Sequence, residues 1–237
     1  MQANDLKIRR IGRACFRSLT SLFLAQGCAV CDRPTLHPFC LDCQRQILPS
    51  SAKVSSCPFT VKHDPLPVIS LGIYDGVLKQ AILKLKYGDR PDIARPLGAA
   101  LGQQWLAQRF VHGFDRRAKL YAIPIPLHAS RHRDRGYNQA ELIAQAFCQV
   151  SGLPLLTEGL VRRQATLPMH RLSLQARQQN LAQAFQIGPS LQRIVRPNVL
   201  LIDDIYTTGT TASSAVDTLT QAGILVRGVL VVARATL

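Results

Sequence analysis

Two adjacent carboxylates, Asp203 and Asp204, close the apolar run at residues 199–202. Two residues later the chain reads Thr207, Thr208, Gly209, Thr210, Thr211. An apolar run of this kind predicts a buried strand, and ligands of open α/β sheets sit where such strands end. Backbone amides in a tight turn ahead of a helix form an anion nest, threonine hydroxyls add donors, and Gly209 permits φ > 0. The loop is therefore suited to a phosphate. The two acids repel that phosphate and suit groups that donate to them, either the hydroxyls of a sugar or a divalent cation. A phosphate seat one sugar's width from paired hydroxyl acceptors fits ribose 5-phosphate. The competing reading is structural: Asp-Asp as a turn and the hydroxyl run as helix capping. Neither Gly-x-x-x-x-Gly-Lys-Ser/Thr nor Gly-x-Gly-x-x-Gly occurs, which speaks against a P-loop ATPase and a dinucleotide fold.

A second constellation is Cys28-x₂-Cys31-x₈-Cys40-x₂-Cys43. Two Cys-x-x-Cys knuckles can supply four thiolates to one tetrahedral, structural Zn²⁺. A disulfide pairing and a metal-free copy are the alternatives. His37 lies in the same stretch, but four thiolates already complete the shell. The chain has seven cysteines, an odd number with four clustered, which does not read as a secreted disulfide framework and fits a cytoplasmic location. Cys57 stands alone, and Cys15 and Cys148 read as ordinary buried thiols.

A third is basic. Arg131, Arg133 and Arg135 alternate within "RHRDRGYNQ", an electropositive rim in which arginine can clamp phosphates. Tyr137 either stacks on a base or packs into the core. Lys79 and Lys86 share a face of the helix predicted over "VLKQAILKLKYG", and Lys84 points elsewhere. The formal net charge of +15, from 29 basic and 14 acidic residues, favours anionic partners such as nucleic acid or phosphorylated metabolites.

The elements that must position these groups follow from periodicity. Residues 1–27 read as a basic, amphipathic N-terminal helix. Residues 28–65 read as a loop-dominated zinc knuckle or ribbon, and residues 66–237 as a globular α/β domain. Strands are expected in "LPVISLGIYDG", "KLYAIPIPLH", "NVLLID" and "LVRGVLVVARA". Helices are expected in "VLKQAILKLKYG", "ARPLGAALGQQWLAQRF", "YNQAELIAQAFCQVSG", most of "LSLQARQQNLAQAFQIG", and "TASSAVDTLTQAG". Their alternation predicts a mostly parallel sheet with helices on both faces. No apolar run is long enough to span a bilayer.

The run "VLLIDDIYTTGTT" resembles the phosphoribosyl pyrophosphate (PRPP) binding motif of type I phosphoribosyltransferases. More closely, the chain is similar to the ComF/GntX family, linked to DNA uptake in competence or to the use of DNA as nutrient. The matching blocks are "YDGVLKQAILKLKYGDR", "IPIPLH", "RHRDRGYNQAELIA", "LSLQARQQNLAQAF" and "LIDDIYTTGTT", in that order. The resemblance implies a type I phosphoribosyltransferase-like domain behind a small zinc-knuckle module.

It also implies roles. Asp203 and Asp204 would contact the ribose hydroxyls, and Thr207, Thr208, Gly209, Thr210 and Thr211 would cradle the 5-phosphate. The "IPIPLH" loop with Pro126 would face pyrophosphate. Lys86, Arg131, Arg133 and Arg135 would contact phosphates. Arg163, Arg177 and Asn180 would belong to a flap over the ligand, and Mg²⁺ would accompany PRPP. At Met169 the family pattern usually has glutamine, and a thioether cannot donate a hydrogen bond. No residue is identified for an accepting nucleobase. Three functions are compatible: a pentosyl transferase from PRPP, a non-catalytic module for single-stranded DNA or a competence helicase, and a PRPP-sensing regulator.

Overall fold

The computed structural model describes residues 27–48, 57–61, 64–108, 119–162, 184–195 and 197–236. The expected N-terminal helix falls almost wholly outside them. So do Met169 and the flap candidates Arg163, Arg177 and Asn180.

Five strands form the main sheet. These are β1 (Cys57–Val61), β2 (Asp64–Ile73), β3 (Leu120–Pro124), β6 (Asn198–Tyr206) and β7 (Leu225–Arg234), in the spatial order β1-β2-β7-β6-β3. The last four are mutually parallel, and β1 pairs antiparallel with β2 at the edge. A separate antiparallel pair joins β4 (Leu160–Arg162) to β5 (Phe185–Ile187). The helices are α1 (Leu41–Ile47), α2 (Gly76–Tyr87), α3 (Ala94–Gln108), α4 (Ala129–Arg135), α5 (Gln139–Ser151), the short α6 (Pro189–Gln192) and α7 (Thr210–Gln221).

The central strands are continuously apolar because both faces are covered. Leu120, Ala122, Leu200, Ile202, Leu230 and Val232 pack on one side against α2, α3 and α5, through Leu85, Trp105 and Phe147 among others. Tyr121, Ile123, Val199, Leu201, Val229 and Val231 pack on the other against α7 and the small sheet, through Val216, Leu219 and Phe185. Each fully buried aliphatic side chain contributes about 1.5–3 kcal/mol, so this doubly covered sheet holds the site rigid. Helices α3 and α5 pack in close contact at Gly98, where a Cβ would stand 2.3 Å from the Ile143 carbonyl oxygen.

Three local expectations change. The stretch read as mostly helical up to Gly188 ends in strand β5, since residues 185–187 pair with β4. The stretch read as loop-dominated contains α1 and β1, and β2 begins at Asp64. The arginine segment, for which periodicity predicts no element, forms helix α4. Its start is fixed by the His128 Nδ1, which accepts from the Ser130 amide, and its end by Gly136 at φ 79°.

The cysteine knuckle packs onto the main domain. Cys28, Phe39, Cys43 and Ile47 are buried in the same apolar cluster as Leu85 of α2. The Arg90 guanidinium donates to the Gly27 carbonyl at 3.2 Å and is paired with Asp92.

Candidate functional site

Strand alternation sends Asp203 and Asp204 to opposite faces of β6. Asp203 follows the parity of Val199 and Leu201, and it lines a cleft with Tyr206 and the Thr207–Thr211 loop residues. Asp204 follows Leu200 and Ile202 toward α2. There its carboxylate meets the Lys86 Nζ at 2.9 Å, with Asp204 only 4% and Lys86 18% exposed at the side chain. The sequence treats the two acids alike, whereas the structure gives each a different neighbour.

The loop behaves as its composition requires. Gly209 takes φ 74° as the N-cap of α7, no side chain caps that helix, and Ser213 N–H returns to the Gly209 carbonyl at 2.8 Å. Thr208 and Thr210 share a hydroxyl hydrogen bond of 2.8 Å. The amides at the start of α7 thus border the same cleft as Asp203. The enclosed volume is about 30 Å³, so an anion would rest against the loop with most of its oxygens outside.

The Asp203 carboxyl is held well above the usual carboxylate range. Burial is the main cause and the neighbouring Asp204 charge adds to it, while the Asp204 amide and Lys86 pull the other way. That amide donates to the Asp203 Oδ1 at 2.8 Å.

The "IPIPLH" loop leaves β3 beside this acid. Pro124 is in register with Ile202, and the Ile125 amide donates to the Ile202 carbonyl at 2.8 Å. Pro126 lines a wide cavity of about 560 Å³ with Leu127, Arg133 and Arg162. The three arginines of α4 therefore divide. Arg131 and Arg135, one turn apart, line a cavity of about 370 Å³ with Lys86, and Arg133 faces the Pro126 side. Tyr137 is half-buried and its hydroxyl donates to the Leu85 carbonyl, which fixes its ring against the end of α2.

Arg162 was missed by sequence reasoning. Its guanidinium lies 5.3 Å from the Phe185 ring centroid. Burial and then the charge of Arg131 lower its pKa, and Asp203 opposes them, so it stands within electrostatic reach of both. It sits one residue from the expected Arg163. Its place depends on the pairing of β4 with β5, which the pattern of "GLVRRQ" does not show.

The Sγ atoms of Cys28, Cys31, Cys40 and Cys43 all lie within 4.8 Å of one another. A tetrahedral ion about 2.3 Å from each sulfur needs sulfurs about 3.8 Å apart. The four groups are thiols, the donor set fits, and they could hold a metal ion. Burial opposes ionisation of Cys28, but the amides of Cys31, Cys40 and Val30 outweigh it and bring the thiol to about 6. His37 is not part of the cluster. Among the described residues no helix is long and apolar enough to cross a membrane.

No family model matches the chain. Individual relatives do. The chain is 28% identical over 198 residues to the DNA utilization protein YhgH of Salmonella typhimurium, spanning 83% of this chain and 85% of that one. It is 28% identical over 216 residues to the Competence protein F of Haemophilus influenzae, spanning 89% and 92%. It is 23% identical over 220 residues to the Competence protein ComFC of Bacillus subtilis, spanning 89% and 79%. The chain is thus similar, over 83–89% of its length, to proteins of three different bacteria that are named for DNA utilization or competence.

Proposed function

We propose that the chain binds a ribose 5-phosphate group, most naturally that of PRPP, and serves in the uptake or utilisation of DNA. The observation that carries the sugar-phosphate reading is the shared cleft of Asp203 and the Thr207–Thr211 loop residues. The loop amides and the Thr208 and Thr210 hydroxyls would seat the phosphate. Asp203 would accept from the ribose hydroxyls. The ion pair with Lys86 would hold the tip of β6 in place. The diphosphate of PRPP would extend toward Pro126, Arg133 and Arg162, beside the end of β3. Mg²⁺ bound with PRPP would supply charge neutralisation for the departing diphosphate. The protein's part in such a transfer is positioning and electrostatics rather than acid–base chemistry. The role in DNA utilisation rests on the names of the relatives and on the net charge of +15. Structural zinc on the four thiols is the preferred metal, because tetrathiolate sites at this spacing select it.

The test is calorimetric titration of the full chain with ribose 5-phosphate and with PRPP–Mg²⁺. Both should bind, and Asp203→Asn combined with Thr208→Ala should weaken both by at least tenfold. Binding that survives the double variant, or no binding by the parent chain, overturns the reading. Pyrophosphate release from PRPP, assayed over a panel of nucleobases, then decides between turnover and sensing.

A further inference from the structure

The cavity of about 370 Å³ between α2 and α4 has a composition that the sugar-phosphate reading does not require. Its volume is in the range of small-molecule sites. Tyr87 and Tyr137 are among the residues that line it. Tyr87 is 76% exposed although it ends a helix whose other large apolar residues are mostly buried. One side of that ring carries the Arg135 guanidinium, 5.5 Å from the ring centroid. Arg135 is itself held by the Gln139 side chain. The rest of the ring is open, so the pair forms a fixed stacking platform.

The polar groups narrow the occupant. Asp89 and Asp134 line the cavity together with Lys86 and Arg131. Two carboxylates disfavour a polyphosphate, and three nearby cations disfavour a metal ion. A flat, neutral group that both donates and accepts satisfies the whole set. Nucleobases have this chemistry: their faces stack on aromatic and guanidinium planes, and their edges present donors beside acceptors. Carboxylates accept from exocyclic amino groups, so adenine and cytosine fit better than uracil, which carries carbonyl oxygens in place of an amino group. Asp89 adopts φ 49°, a conformation the short acidic side chain tolerates.

The placement is the second argument. Lys86 lines this cavity and also pairs with Asp204, the neighbour of the Asp203 that lines the sugar cleft. A ligand here lies across the acid pair from the pentose.

We infer that the Tyr87–Arg135 cavity is a nucleobase subsite selective for amino-bearing bases, filled by an acceptor base or by the base of a DNA strand. This rests on the proposed pentose site for its role, but its occupancy can be measured without any sugar phosphate.

The full chain is titrated with adenine, cytosine and uracil, each alone, and followed by saturation-transfer NMR and chemical-shift changes. Adenine and cytosine should bind, with uracil at least tenfold weaker. Tyr87→Ala should weaken adenine by about tenfold, the order of one lost stacking contact, and Tyr87→Trp should retain it. Asp89→Asn should remove the preference over uracil. A short oligo-dA that competes with adenine identifies a strand as the source of the base. A strand that leaves adenine bound identifies a free acceptor. No adenine binding, or equal adenine binding by the parent and Tyr87→Ala, overturns the inference. Loss of ribose 5-phosphate binding with adenine binding intact overturns only the pentose reading.

Discussion

Lys86 Nζ stands 2.9 Å from the Asp204 carboxylate, tying the last turn of α2 to the tip of β6. These residues are far apart in sequence and meet because the sheet order places β6 two strands from β2, under α2. A carboxylate this buried depends on its partner. Lys86→Met should destabilise the chain by about 3 kcal/mol, the lower end for a broken buried pair because Lys86 keeps some solvent contact. For a domain of this size that is a fall in Tm of about 6–12 °C. Adding Asp204→Asn to Lys86→Met should restore part of the loss in urea denaturation. Equal stability of Lys86→Met and the double variant would show that the carboxylate left without its partner costs nothing.

The Asp203 carboxyl gives a pH dependence with a definite sign. Its native pKa is raised, so between the ordinary carboxylate value near 4 and the raised value the folded state holds more protons than the unfolded one. Stability therefore falls as pH rises through that window and is unaffected below it. Asp203→Asn removes the burial cost of the charge. It should raise Tm at neutral pH and leave it unchanged near pH 3. A Tm gain that persists at pH 3 would assign the effect to something other than ionisation.

Metal at the knuckle should reach the main domain. Cys28 and Cys43 belong to the same buried cluster as Leu85, and Arg90 reaches back to the Gly27 carbonyl. The purified chain should carry one zinc per molecule by elemental analysis. Chelation or Cys43→Ser should lower the Tm of the single main transition rather than melt a separate module. Two resolved transitions after chelation would show that the knuckle is energetically independent.

Much of this site was legible in the residues, for identifiable reasons. The apolar run into Asp203, the glycine at φ 74° and the cysteine spacing are local patterns, and local physics determines their geometry. Helix α4 was not legible. Five of its seven residues are charged or histidine, so it has no apolar periodicity and depends on its two caps. The division of Asp203 from Asp204 follows from strand parity and was available in principle. The partnership with Lys86, the Arg135–Tyr87 stack and the place of Arg162 all depend on which elements become neighbours, and no sequence spacing encodes that.

The division of the α4 arginines has a functional consequence. Residues two apart on a helix point to different sides, so Arg131 and Arg133 cannot clamp the same phosphate. Arg133 shares its cavity with Pro126 and Arg162 at the end of β3, and Arg131 shares the opposite cavity with Lys86. If the diphosphate of PRPP lies on the Pro126 side, Arg133→Ala should weaken PRPP–Mg²⁺ by about tenfold, the order of one charge-assisted contact. Ribose 5-phosphate, which lacks the diphosphate, should bind that variant as it binds the parent. The PRPP loss should also shrink as salt is raised, because exposed charge is screened. Equal losses for the two ligands would move the diphosphate away from this cavity, and a loss confined to Arg131→Ala would place it between α2 and α4, where it would displace the proposed base.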